Sequence, residues 1–282
     1  MDRLSSRANI APFYAMEVAR DARERIAAGK SIVRFDVGQP HLPATELALK
    51  AAEAALRTQR LGYTEALGSI QLRTAIATHY KRAYDVAVDP GRIVITTGAS
   101  GAFVLAFLAL FETGDRVALA APGYPPYRHI LTSLGMTPVN IEAEISSGLH
   151  LTPEAIKAAD APLAGVLIAS PANPTGAIIG ANALADIAGA ARDRGAALIS
   201  DEIYHGLVYA GRAETALAID DNALVINSFS KYWAMTGWRI GWLVHPKSVE
   251  PAAAAMAQCN NTGSTHFVQY GALAALSPEG DA

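Results

Sequence analysis

The sequence predicts an α/β fold, an α/β/α sandwich whose mostly parallel sheet is covered on both faces. Three observations carry this reading. Apolar runs suited to strands recur at residues 93–97, 117–121, 166–169, 197–200, 224–227 and 240–244. Helix-like stretches at 101–111, 153–159 and 182–194 separate several of them. The runs are short and continuous, as strands buried on both faces are. Upstream, residues 15–28 form a charged helix stopped by Gly29. Residues 32–37 are expected to form a short strand leading into Gly38-Gln39-Pro40, followed by helices over 46–57 and 69–84. The first forty-odd residues thus make an N-terminal arm (1–45), and 46–282 the main domain.

Composition narrows the function. The chain has 282 residues, 51% of them hydrophobic, enough to build a core. Lys and Arg number 23 against 26 Asp and Glu, a net charge of −3, which leaves no general basic surplus for nucleic acid or an anionic membrane. One cysteine, Cys259, excludes an internal disulfide framework and any cysteine-based zinc cluster. The longest apolar run, 101–111, is shorter than the roughly 20 residues a bilayer crossing needs. The N-terminus carries no apolar signal region, so a cytoplasmic protein is the expectation.

In parallel sheets ligands bind beyond the carboxyl ends of the strands, so the residues just after each run matter most. They are Gly98-Ala99-Ser100-Gly101, Pro122-Gly123-Tyr124-Pro125-Pro126-Tyr127, Ser170-Pro171-Ala172-Asn173-Pro174-Thr175-Gly176, Asp201-Glu202-Ile203-Tyr204 and Ser228-Phe229-Ser230-Lys231. The glycine segment opens a helix and offers free N–H groups to a phosphate, or else is a tight strand–helix turn. A dehydrogenase reading of it fails because no G-x-G occurs. Gly29-Lys30-Ser31 copies the tail of a P-loop, but Glu24 stands where the first glycine belongs.

Of six lysines, Lys231 is the one that comes directly off an apolar strand, and it precedes Tyr232 and Trp233. It is either a surface lysine packing its stem on those rings or a desolvated amine serving as nucleophile or base. Arg239 is open to a bidentate phosphate contact or a plain ion pair. Asp201, at the edge of the core, either meets a cation such as a protonated pyridine or caps a turn. Glu202, His205 and His129 are assigned no chemistry.

Taken together the motifs resemble those of fold-type I pyridoxal-phosphate enzymes of the class I/II aminotransferase family. They are Asp36-Val37-Gly38-Gln39-Pro40, Gly62-Tyr63-Thr64, Pro122-Gly123-Tyr124-Pro125, Asn173-Pro174-Thr175-Gly176, Asp201-Glu202-Ile203-Tyr204 and Ser228-Phe229-Ser230-Lys231 with Gly237-Trp238-Arg239. All six stand in the family's order, and the resemblance runs from about residue 7 to the end.

The resemblance implies amino transfer between an L-amino acid and a 2-oxo acid, with pyridoxal 5'-phosphate as cofactor. Lys231 would be the Schiff-base lysine and proton shuttle, and Asp201 the partner of the pyridinium nitrogen. Tyr204 and Asn173 would hydrogen-bond the phenolic oxygen, and Tyr124 would stack on the ring. Ala99, Ser100, Ser228 and Arg239 would hold the phosphate. Tyr63 would reach the phosphate of a neighbouring subunit in a homodimer, and Gly38 and Asn173 would lie against the substrate. Residues 1–45 would include part of a small domain whose C-terminal remainder, with its carboxylate-binding arginine, is missing beyond 282. Ser100 stands where acid-specific members carry a lysine, which weakens an aspartate-specific reading. Another pyridoxal-phosphate reaction, such as a C–S β-lyase, and an inactive cofactor-binding remnant are the alternatives.

Overall fold

Seven strands form one sheet in the order β1-β7-β6-β5-β4-β2-β3 in the computed structural model, which describes residues 4–160 and 162–280. The outermost residues of the two predicted segments, 1–3 and 281–282, lie outside the described residues. The strands are β1 (Ile93–Thr96), β2 (Arg116–Ala121), β3 (Thr137–Glu142), β4 (Gly165–Ala169), β5 (Ala197–Asp201), β6 (Leu224–Ser228) and β7 (Gly241–Val244). Neighbours pair in parallel except for β7, which runs against both β1 and β6. The mostly parallel α/β sheet expected from the sequence is therefore present.

Alternate strand residues feed two separate cores. Ile93, Ile95, Val166, Ile168, Val225, Trp242 and Val244 point to one face, while Val94, Leu119, Leu167, Ile199, Ile226 and Leu243 point to the other. On the first face α2 (Glu46–Thr58), α3 (Ile70–Tyr84), α7 (Ala181–Asp193) and α9 (His266–Ala275) supply Ala48, Ile76, Leu184 and Ala272, among others. On the second face α4 (Gly98–Leu110), α5 (Pro125–Leu134) and α8 (Glu250–Asn261) supply Phe107, Leu131 and Ala253. The helix α1 (Tyr14–Ala27) precedes them, and α6 (Pro153–Lys157) is a short turn before β4. Thr45 and Ser69 cap α2 and α3 by accepting from the N–H groups of Ala48 and Leu72.

Two sequence expectations need correction. Residues 32–37 form no strand; the backbone finds no ladder partner among the described residues, and Val33, Phe35 and Val37 are exposed, Phe35 at 95%. Strand-like local sequence is not enough, for a strand needs a neighbour to pair with. Conversely, β3 escaped detection because it is an edge strand with Pro138 and Asn140 in it and half its residues exposed.

The antiparallel course of β7 positions the site. Its first residue, Gly241, pairs with Ser228 at the end of β6 and with Thr96 at the end of β1. Arg239, two residues earlier, is thereby delivered to the edge where the parallel strands end.

Candidate active site

The start of α4 and Arg239 converge on one spot. Gly98 has φ +68°, and a Cβ there would lie 2.4 Å from Nη2 of Arg239, so only glycine lets the guanidinium lie against the first turn of the helix. Thr97 makes no side-chain cap and the first turn holds no acid, which leaves the N–H groups of that turn directed outward. Gly241 allows the same close approach from below, since its Cβ would meet Ser228 Cβ at 2.8 Å and the Gly98 backbone at 2.9 Å. Arg239 is held by donation from Nη1 to the Thr236 carbonyl at 3.0 Å.

Asp201 ends β5, 4% exposed. Its Oδ1 accepts from the Ile203 N–H at 3.1 Å and its Oδ2 from the Tyr127 hydroxyl. Burial pushes the carboxyl up to about 6, against the pull of these two donors. Lys231 follows β6, donates from Nζ to the Gly38 carbonyl at 2.7 Å, and sits 5.8 Å from the centre of the Tyr204 ring. Partial burial lowers its pKa below the ordinary lysine value. Asn173 Nδ2 donates to the Tyr204 hydroxyl at 3.4 Å.

Gly38, Ala99, Ser100, Tyr124, Asn173, Asp201, Tyr204, Lys231 and Arg239 all line one cavity of about 860 Å³. Ser228 does not line it; it is fully buried behind it, its Oγ accepting from the Ser230 N–H at 3.0 Å. Tyr63 is not brought to this cavity and stands 90% exposed between α2 and α3. Sequence reasoning missed Phe13, whose ring meets Tyr124 edge-on at 5.9 Å, and gave Tyr127 no role. Tyr127 had a signal: it lies three residues after Tyr124 across a Pro-Pro helix start, so both rings leave the same turn. Phe13 had none.

Beneath the cavity Glu202 is buried and turned away from it. Its Oε1 accepts from Ser200 Oγ (3.2 Å), Thr215 Oγ1 (3.1 Å) and the Ala216 N–H (2.8 Å). Burial pushes the carboxyl up to about 7 and the nearby His205 down to about 4. A raised carboxyl favours folding while protonated, and that advantage is lost as pH rises from the ordinary glutamate range through the folded value. Glu202→Gln keeps the acceptor and cannot ionise. Its stability relative to the parent should rise between about pH 5 and about pH 8 by up to about 3 kcal/mol, measured by denaturant unfolding. A flat difference would show that Glu202 stays ionised in the folded chain.

The family model for aminotransferase class I and II matches residues 30–281. The chain belongs to this family. It is 46% identical to the valine–pyruvate aminotransferase of Mycobacterium tuberculosis, over 100% of this chain and 73% of that protein. An aspartate aminotransferase of Streptomyces avermitilis is 32% identical, over 98% and 69%. Among solved structures, an aminotransferase from Mycobacterium tuberculosis superposes with TM-score 0.96 at 45% identity, covering 100% of this chain and 73% of that one. The aspartate aminotransferase from Thermus thermophilus with maleate superposes with TM-score 0.94 at 30% identity, covering 99% and 74%.

This aminotransferase thus moves an amino group between an amino acid and a 2-oxo acid with pyridoxal phosphate. Its cavity fits that cofactor: a guanidinium over a helix start that a Cβ would block, a buried carboxylate with no cation paired to it among the described residues, and an amine of lowered pKa. No helix of the described residues is long and apolar enough to cross a membrane.

Proposed function

We propose that Lys231 binds the cofactor covalently and moves the proton at the substrate α-carbon. The observation that carries this is the placing of its Nζ in the same cavity as Asp201 and Arg239, with a pKa lowered by burial. When bound, pyridoxal phosphate supplies an electron sink for the bond broken at the α-carbon. Asp201 holds a negative charge for the ring nitrogen, and Tyr124 offers its face to the ring. Asn173 and Tyr204 present donors for the phenolic oxygen. The N–H groups of Ala99 and Ser100 and the guanidinium of Arg239 hold the phosphate. Ser228 acts from behind, fixing the turn that bears Lys231, and Gly38 borders the substrate carboxylate.

The substrate pair we favour is an apolar amino acid such as valine with pyruvate. The 46% identity to a valine–pyruvate aminotransferase supports this, as do Phe13, Met16, Ile178 and Leu207 on the cavity wall. With pyruvate as acceptor, kcat/KM for valine should exceed that for aspartate by at least about ten-fold, the worth of one or two buried methylenes against an unpaired carboxylate. Equal values, or faster aspartate, would overturn the apolar reading.

In the same reading a second copy of the chain brings Tyr63 to the phosphate, making the enzyme a cytoplasmic homodimer of amino-acid biosynthesis. Residues 1–45 serve as its arm and part of a small domain, and 46–282 as its cofactor domain. The exposure of Tyr63 supports the dimer. Sedimentation of the cofactor-loaded protein tests it, and a monomer active at the same concentration would sink it.

A further inference from the structure

Resting on the cofactor reading above, we propose that Tyr127 is a positioning residue that holds the Asp201 carboxylate ionised and oriented for the cofactor's ring nitrogen. Pro125 and Pro126 start α5, so the chain turns into a helix directly after Tyr124, and Tyr127 falls in its first turn. The Tyr127 ring is buried, 6% exposed, between Phe103 of α4 at 5.1 Å and Tyr124 at 5.3 Å. The hydroxyl of the ring so packed donates to Oδ2 of Asp201. On the other carboxylate oxygen the donor among the described residues is the Ile203 N–H.

Tyr127 is therefore the one side chain hydrogen-bonded to Asp201 among the described residues, and its ring also abuts Tyr124. One residue braces both the edge and the face contact of the proposed ring site. Burial keeps the phenol protonated far beyond neutral pH, so it remains a donor wherever the enzyme works. A donor to a buried carboxylate favours the ionised form, whereas desolvation favours the neutral acid. The titratable groups facing Asp201 are Tyr127 and Tyr124 at the start of α5, Tyr204 in the loop after β5, and the adjacent Glu202. None of these is a cation, so without the phenol the Ile203 N–H is, among the described residues, the one donor left to oppose desolvation.

The test titrates cofactor-free protein with pyridoxal phosphate, by equilibrium dialysis from about pH 6 to about pH 9, so that no turnover is needed. Tyr127→Phe should weaken binding about ten-fold at neutral pH, the loss of one hydrogen bond to a charged group. It should also move the acid edge of the affinity profile to higher pH. Asp201→Asn should weaken binding at least as much, and adding Tyr127→Phe to it should change little, about two-fold or less. Phe103→Leu loosens the same ring without removing the hydrogen bond; it should lower Tm and leave the acid edge in place. If Asp201→Asn weakens binding while Tyr127→Phe leaves affinity and acid edge unmoved, Tyr127 only packs and the proposal falls alone. If Asp201→Asn itself changes nothing, the reading of Asp201 falls and takes the proposal with it.

Discussion

Lys231→Ala loses transamination by at least about 10²–10⁴-fold while cofactor binding survives in part. The magnitude is that of removing a positioned proton-transfer group, before the loss of its covalent role is added. Binding should survive because, in the proposed reading, Arg239, the first turn of α4 and Asp201 would hold the cofactor without Lys231, in the cavity that all of them line. The two quantities therefore separate: kcat collapses, and the cofactor dissociation constant rises only modestly. Stability should hardly change. The Lys231 amine donates to the Gly38 carbonyl at 2.7 Å, and that carbonyl borders an open cavity where water can replace it. Single-turnover kinetics and dialysis on the same preparation check both halves. Near-normal turnover in the variant would remove Lys231 from the mechanism.

The second large effect falls on a residue with no side chain. Gly98→Ala would set a methyl group 2.4 Å from Arg239 Nη2, which is the far end of a flexible side chain. The clash is relieved by swinging the guanidinium away, so, if Arg239 holds the phosphate as proposed, the penalty falls mainly on phosphate binding. Losing a charge-assisted contact of that kind weakens cofactor affinity about 10–100-fold. The left-handed backbone of Gly98 adds roughly 1–2 kcal/mol of destabilisation for a residue with a Cβ. Free phosphate affinity should fall in parallel with cofactor affinity, because both read the same cradle. Isothermal titration with each ligand checks this. Intact phosphate binding in Gly98→Ala would show that Arg239 does not hold that group.

Most of the fold was legible because parallel strands buried on both faces announce themselves as continuous apolar runs. Residues 166–169 and 224–227 are of that kind, and the structure extends each by a residue or so to Gly165–Ala169 and Leu224–Ser228. Edge elements were not legible. In Thr137–Glu142 only one face is covered, and its polar residues hide the strand. The reverse error at 32–37 has the same root, for alternation in Val33, Phe35 and Val37 describes a surface and not a partner. The direction of β7 was also out of reach, since nothing local in Gly241–Val244 distinguishes a strand that runs up from one that runs down.

The site divides in the same way. Lys231 and Asp201 stood out because each follows an apolar run, but their roles, and that of Arg239 just ahead of Gly241–Val244, came from the resemblance of the ordered motifs. Tyr127 lay inside a recognised motif, yet its role depends on where its hydroxyl ends, at Asp201, 74 residues further along the chain. Phe13 reaches Tyr124 from an arm more than a hundred residues away in the chain, a contact of tertiary structure alone.

The central claim is that one amine of this chain carries the cofactor. Loading the protein with pyridoxal phosphate, reducing it with borohydride, digesting it and mapping the peptides by mass spectrometry tests that claim most directly. The account predicts the pyridoxyl adduct on the peptide containing Lys231, at near one equivalent. An adduct on Lys30, Lys50, Lys81, Lys157 or Lys247 instead, with the Lys231 peptide unmodified, would contradict it.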